Sequence, residues 1–316
     1  MGPFDPHPNL PIPLPQVPGP KLPPFTLTGH AAIQFVEELG DESSSADSRV
    51  WKIRIHGKER YFALKVFKFN SFEYLRDDFA SELNRDLATP QLYTDYFDPF
   101  SCECRAYGRL KQENREDLAI RAHGYLLLDS GQEAEITQRG SQCELDEDNP
   151  WCRDEHNRNI PLRAIVKDLA DGYDHFTQSQ APNMWEDLEN LHRLGILVHD
   201  VRVPNYLGGK LIDFSRAWTT PHPWCRAMCS ALVKDTRHSE PERLHNTIIE
   251  WGMANGWDWS EVVIPDELRK CASGISQNNR YGTDPRSYDW RKWEKDLAAA
   301  EAFQQMELLP VGVRLE

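Results

Sequence analysis

The sequence predicts an α+β fold, mainly β with one key helix in its first part and mainly helical after it, in a chain long enough for one large domain or two lobes sharing a cleft. Three observations point that way. Residues 49–69, RVWKIRIHGKERYFALKVFKF, read as two strands rich in β-branched and aromatic residues around a His56-Gly57 turn. Two further apolar runs, LAIRAHGYLLL at 118–128 and PLRAIVKDLA at 161–170, have the length and composition of strands. From about Ala181 the spacing turns helical, with Met184, Leu188, Leu191 and Leu194 stopped by Gly195, and the chain beyond residue 220 is rich in Trp and helical patterns.

A chain of 316 residues that is 40% hydrophobic can furnish the substantial core this requires. The expected division is a disordered proline-rich tail over 1–24, a first lobe over 25–168 with insertions at about 70–97 and 129–160, and a second lobe over 169–316. Ten of the 22 prolines fall within the first 24 residues, where backbone donors are missing and polyproline II is favoured. That stretch reads first as a solvated extension. Its Pro-x-x-Pro spacings, Pro8 to Pro11, Pro15 to Pro18 and Pro20 to Pro23, also fit an aromatic groove on a protein partner.

The charge excludes some functions. A formal net charge of −14 opposes broad binding to nucleic acid, which needs clustered Lys and Arg, so no nucleic-acid partner is expected. It leaves room for a small basic pocket that takes phosphate. No apolar run approaches the roughly 20 residues that cross a bilayer, so no membrane partner is expected either. The proline-rich start lacks secretory character, and the seven cysteines read as thiols. Together these place the protein inside the cell, in cytoplasm or nucleus.

Along the first lobe, the charged segment from Asn70 to Tyr96 reads as a partly helical insertion without assigned chemistry. Asp98 then supplies a helix N-cap, with Pro99 at the first helical position of PFSCECRAYGRLKQ. Glu103, Tyr107 and Leu110 share one face of that helix, so Glu103 either leans into water or, if buried, requires a cationic partner. The acidic, turn-rich stretch from Asp129 to Asn159 reads as a mobile surface loop, in which Cys143 and Cys152 are structural thiols.

Chemistry concentrates in HDVRVPNYLGGKLIDFS, residues 199–215. Two short strands joined at Gly208-Gly209 would return Asp213 close to Asn205. An asparagine and an aspartate so placed can supply two oxygen ligands to Mg²⁺, an ion that takes one or two carboxylates together with phosphate oxygens. Asp200 can orient a hydroxyl or accept its proton, and Arg202 carries fixed positive charge for a transferring phosphoryl group. Metal ligands, a positioning base and cations are what phosphoryl transfer needs.

In order and spacing, Asp200, Arg202, Asn205 and Asp213-Phe214-Ser215 resemble the protein-kinase catalytic signature. Upstream, FALK resembles the strand carrying the ATP-binding lysine, which makes Lys65 its counterpart and Glu103 the helix glutamate that pairs with it. The segments YFALKVFKF, ECRAYGRL, HGYLLL and LHRLGILVHDVRVPNYLGGKLIDFSRAWTTPHP more closely resemble the fungal, kinase-like family of the kinetochore Sim-four-complex subunit, of the FTA-two domain type. The resemblance implies a protein-kinase-like bilobal fold with Mg²⁺ and ATP as cofactors. It implies catalytic roles for Asp200, Arg202, Lys65 and Glu103, nucleotide contacts from Gly40, Lys65, Asp168, Asn205 and Asp213, and metal ligation by Asn205 and Asp213.

Departures from the pattern set the rival readings. The phosphate-covering loop, LGDESSSADSRVWKI, keeps only Gly40 and adds Asp41, Glu42 and Asp47, so a triphosphate would meet like charge. His199 is shifted one place from the usual histidine and reads as structural. SEPERL at 239–244 resembles the kinase Ala-Pro-Glu, and DWS at 258–260 a later helix motif. His222, Cys225 and Cys229 have metal-like spacing without an evident fourth ligand, and read as a helix carrying buried thiols. The leading function is Mg²⁺–ATP binding with phosphotransferase capacity. A pseudokinase scaffold, acting as a kinetochore subunit, is the rival from another class. A small-molecule kinase comes third, since Val198 stands where that group's first histidine would be.

Overall fold

The structure, a computed structural model, describes residues 14–27, 33–40, 47–83, 85–140, 149–170, 175–224, 230–258, 283–306 and 308–310. It is α+β. Strands β1 (Ile33–Leu39), β2 (Ser48–Ile55), β3 (Tyr61–Phe67), β5 (Ala122–Leu128) and β6 (Leu162–Asp168) form one antiparallel sheet in the order β1-β2-β3-β6-β5. The β2–β3 hairpin turns at Gly57, whose φ of 81° lies in the left-handed region that glycine enters without strain. Alternation along β2 buries Trp51, Ile53 and Ile55 beneath the sheet with Phe62, Leu64 and Val66 of β3.

Between β3 and β5 the chain makes a helix–strand–helix excursion through α1 (Phe72–Leu83), β4 (Arg85–Leu87) and α2 (Pro90–Phe97), and β4 is later paired by β11 (Leu308–Pro310). Helix α3 (Pro99–Gln112) follows at once. Asp98 caps it as expected, accepting from the Ser101 N–H at 3.3 Å while its carboxylate also holds Arg163 at 2.8 Å. Every residue of α3 from Pro99 to Leu110 is buried, because the sheet, the helical part of the chain and the proline-rich segment enclose it together.

That last contact revises the expected tail. Residues 14–27 are laid along α3 and β5: the Leu22 N–H donates to the Cys104 carbonyl at 2.8 Å, and Pro23 and Phe25 bond the backbone of Tyr125 at 3.1 and 2.8 Å. Leu22 and Val17 are buried. Prolines limit the donors this strap must satisfy, and Gly108 and Gly124 leave it room to lie backbone against backbone. Residues 1–13, with the Pro8 to Pro11 spacing, lie outside the described residues.

The mobile loop expected after β5 is also revised. Residues 130–139 form α4 (Ser130–Arg139), opened by a capping box in which Asp129 and Gln132 bond each other's backbone at 2.9 and 3.0 Å. Trp151 is buried under the sheet and donates to Thr137 at 2.8 Å. Acidic composition concealed a capping signal that Asp129 and Gln132 carry plainly. Cys143 lies outside the described residues, and Cys152 is exposed.

The helical part begins with α5 (Ala181–Arg193), which buries Met184, Leu188 and Leu191 and ends at Gly195 with φ 72°. Then come β7 (Ile196–Leu197), a 3-10 turn at Val203–Asn205, the hairpin β8 (Tyr206–Leu207) and β9 (Lys210–Leu211), and β10 (Trp218–Thr219), which pairs with β7. Helix α6 (Ser230–Ala254) packs on α5, and α7 (Leu297–Gln305) lies near the end. No helix among the described residues is long and apolar enough to cross a membrane.

Candidate functional site

The two glycines do what their spacing suggested. Gly208 and Gly209 take φ values of 57° and 75°, β8 pairs Tyr206 with Leu211, and the ladder continues as the Ile212 N–H donates to the Asn205 carbonyl at 2.9 Å. Asp213 and Asn205 therefore leave the hairpin side by side. The Asn205 amide N–H groups bond the Asp200 carbonyl at 2.8 Å and its Oδ2 at 2.9 Å, and Arg202 reaches the same Oδ2 at 3.0 Å.

From the sheet, Lys65 Nζ lies 2.8 Å from Asp213 Oδ1 and pairs with Glu103 of α3. The buried glutamate thus has the partner its face required. Burial alone would lower the Lys65 pKa, but the Asp213 and Glu103 carboxylates outweigh it and raise it. Burial likewise pushes the Asp213 carboxyl up, yet Lys65, Lys167 and the Ser215 N–H, donating at 2.7 Å, together hold it well below the usual carboxylate range. Glu103 is enclosed completely, and burial raises its pKa against the pull of Lys167 and Lys65.

Other expected members are placed elsewhere. The Asp168 side chain stands on the opposite face of β6 from Lys167 and is engaged by His123 at 2.7 Å and Arg60 at 2.9 Å, so it does not join the Lys65 cluster. Gly40 follows β1 with φ 96°, and residues 41–46, most of the acidic loop, lie outside the described residues. Asp47 is described: its carboxylate contacts Arg216, three residues beyond Asp213, at 3.3 Å.

His199 takes a φ of 62° and packs against Trp218 with ring centroids 3.6 Å apart and planes tilted by 45°, and burial pushes its pKa down to about 4. It is a neutral structural ring. His222 is buried among aromatic rings, with Nε2 3.3 Å from the Tyr96 carbonyl and Nδ1 accepting from the Trp224 N–H, while Cys225 and Cys229 lie outside the described residues. Trp259 and Ser260 of the DWS motif do so too.

Two positions beside these residues make contacts that the sequence did not reveal. Glu240 of SEPERL sits within α6, not in a loop, and accepts from His192 Nε2 at 2.8 Å and from the Val198 and His199 N–H groups at 3.1 and 2.8 Å. It holds the backbone that presents Asp200. Lys167 reads as an ordinary strand lysine, yet it is 4% exposed and lies 2.6 Å from Glu103 Oε2. Its signal is a run buried on both faces of β6, in which a lysine needs a counter-ion.

The residues present fit a magnesium-bound phosphate. Asp213 Oδ2 and Asn205 Oδ1 accept no hydrogen bond among the described residues, while Asp213 Oδ1 and the Asn205 amide nitrogen are fixed. One carboxylate and one amide oxygen form a small hard-donor set that phosphate and water would complete. No group of three or more His, Cys, Asp or Glu is placed to hold a metal among the described residues.

Fold and site together define an α+β protein in which a sheet lysine, a helix glutamate and a hairpin aspartate are ion-paired beside an aspartate–asparagine couple. The family model of the kinetochore Sim4 complex subunit FTA2 matches residues 10–218, more than half of the chain, and the chain belongs to that family. The match runs from the strap to β10 and includes both the Lys65–Glu103 pair and the Asp200–Asp213 segment. No curated protein matches the sequence.

Proposed function

We propose that this chain is a nuclear kinetochore-complex subunit with a protein-kinase-like, two-lobed fold whose cleft binds Mg²⁺–ATP. The family supports the kinetochore assignment. The nucleotide reading rests on one observation above all: Lys65 bridges Glu103 and Asp213. Such a lysine, held by a helix carboxylate next to a metal-ligating aspartate, is the phosphate-binding arrangement of kinase catalysis.

In this reading Asn205 and Asp213 hold the metal, whose charge would neutralise the phosphates. Lys65 binds phosphate oxygens, oriented by Glu103. Asp200 receives the acceptor hydroxyl, its carboxylate oriented by Asn205, and Arg202 offsets charge on the transferred group. Calorimetry and thermal shift with ATP, with and without Mg²⁺, test this. Wild type is expected to bind only with Mg²⁺, and Asp213→Ala to lose that binding; no binding by wild type would sink the reading. Asp200→Asn then separates turnover from binding.

A second reading, a pseudokinase used as a protein-binding scaffold, is favoured by the charge balance of the cleft. Lys65 and Lys167 are matched by Glu103 and Asp213, and Asp47 meets Arg216 beside them. A triphosphate would have to compete with partners already in place. Mg²⁺-independent failure to bind, with kinetochore-protein binding retained by Asp213→Ala, is the outcome that selects it.

A further inference from the structure

Lys167 is a buried cation for which the nucleotide scheme above has no role. In the β3–β6 register Lys65 faces Ile165 and Ala63 faces Lys167, so the two lysines project from adjacent strands to the same side of the sheet. Lys65 takes Glu103 Oε1 and Lys167 takes Oε2 at 2.6 Å. Lys167 Nζ also donates to the Ile212 carbonyl at 2.8 Å and stands 5.0 Å from the centre of the Tyr107 ring. Helix α3, strand β6 and the residue preceding Asp213 therefore meet at one ammonium group.

Glu103 has no exposure to water. Were Lys65 its sole partner, any phosphate that drew Lys65 away would leave a buried carboxylate uncompensated, which is strongly unfavourable. Substrate and glutamate would compete for one cation. With a second lysine on the other oxygen, that competition is relieved.

We propose that Lys167 is the standing counter-ion of Glu103, a positioning residue that lets Lys65, still held by the carboxylate, turn its charge toward phosphate. This deepens the nucleotide reading and rests on it. Lys167 does not itself serve the phosphate: it is 4% exposed, and its ammonium is already occupied by the carboxylate, the Ile212 carbonyl and the Tyr107 face. Its second bond keeps the backbone entering Asp213 aligned with α3, so the lysine side and the metal side of the site stay in register.

The test is titration calorimetry of the full chain with Mg²⁺–ATP, with circular dichroism and thermal unfolding reporting the fold of each variant. Lys167→Met should bind about tenfold more weakly than wild type, the scale of one charge-assisted contact. Lys167→Arg, which keeps the charge, should stay within about threefold. Adding Glu103→Gln to Lys167→Met should recover most of the loss, because a neutral amide needs no counter-ion and leaves the Lys65 charge to phosphate. A merely structural lysine would shift the unfolding temperature of these variants and leave the affinity of the folded protein unchanged. Unchanged binding by Lys167→Met, or a loss that Glu103→Gln leaves in place, overturns this inference alone. Absence of binding by wild type overturns the nucleotide reading with it. Should Lys167→Met not fold, Lys167→Gln, which can still donate to Ile212, takes its place with the same expectations.

Discussion

At the scale of single residues, Glu240 does the most to shape the Asp200 loop. Burial pushes its carboxyl pKa up, and the hydrogen bonds from His192 and the His199 N–H more than reverse this, leaving it lowered. His199 occupies the left-handed region, which is costly for a residue with a Cβ, and Glu240 fixes the backbone there by taking the N–H groups of both Val198 and His199. Removing the carboxylate strands two buried N–H groups and His192 at once. Glu240→Ala should therefore cost about 2–4 kcal/mol of stability, and Glu240→Gln less because its amide oxygen still accepts. Urea unfolding measures both; equal losses for the two variants would show that packing, not hydrogen bonding, holds this loop.

At the scale of elements, α3 is the hub. Its Arg105 donates to the Thr219 and Pro221 carbonyls, and its Arg109 to the Leu194 and Thr220 carbonyls at 2.7 Å each, while Glu103 faces the sheet lysines. The strap closes the remaining side. A glycine inside a helix ordinarily costs about 1 kcal/mol relative to alanine. At Gly108 that sign should invert, since an added Cβ would lie 2.6 Å from the Lys21 backbone. Gly108→Ala is expected to destabilise by about 1–3 kcal/mol and to expose residues 14–27 to protease. A gain in stability with unchanged proteolysis would mean that the strap yields freely. Helix α3 itself was legible, because Asp98, Pro99 and the Glu103–Tyr107–Leu110 spacing are local signals. The strap was not: it has no periodicity, and its burial is decided by Gly108 and Gly124, about 85 to 100 residues further along the chain.

For the whole molecule, the same division holds between local pattern and distant contact. The β2–β3 hairpin, the strands β5 and β6, the helix ending at Gly195 and the return of Asp213 to Asn205 all follow from short-range spacing and turn chemistry. Lys167 and Glu240 did not, because each is defined by a partner on another element: Glu103 on α3, and His192 on α5. The packing of the helical part has a further consequence for stability against pH. His199 and His222 are held neutral, chiefly by burial, with His199 lowered to about 4 and His222 well below its ordinary value. In the unfolded chain both would titrate near about 6.5. Between these limits the unfolded state binds more protons than the folded one, so stability rises with pH through that window and is lost as pH falls from about 6.5 toward 4. Glu240 and Arg243 act on His199 with opposite signs, and Arg105 adds to the lowering at His222, so burial sets the direction at both. Urea midpoints should drop steeply between pH 7 and pH 5, and His199→Gln should flatten that slope even if it lowers the midpoint at pH 7. A parallel slope in the variant would locate the acid sensitivity in His222 or in the carboxylates instead.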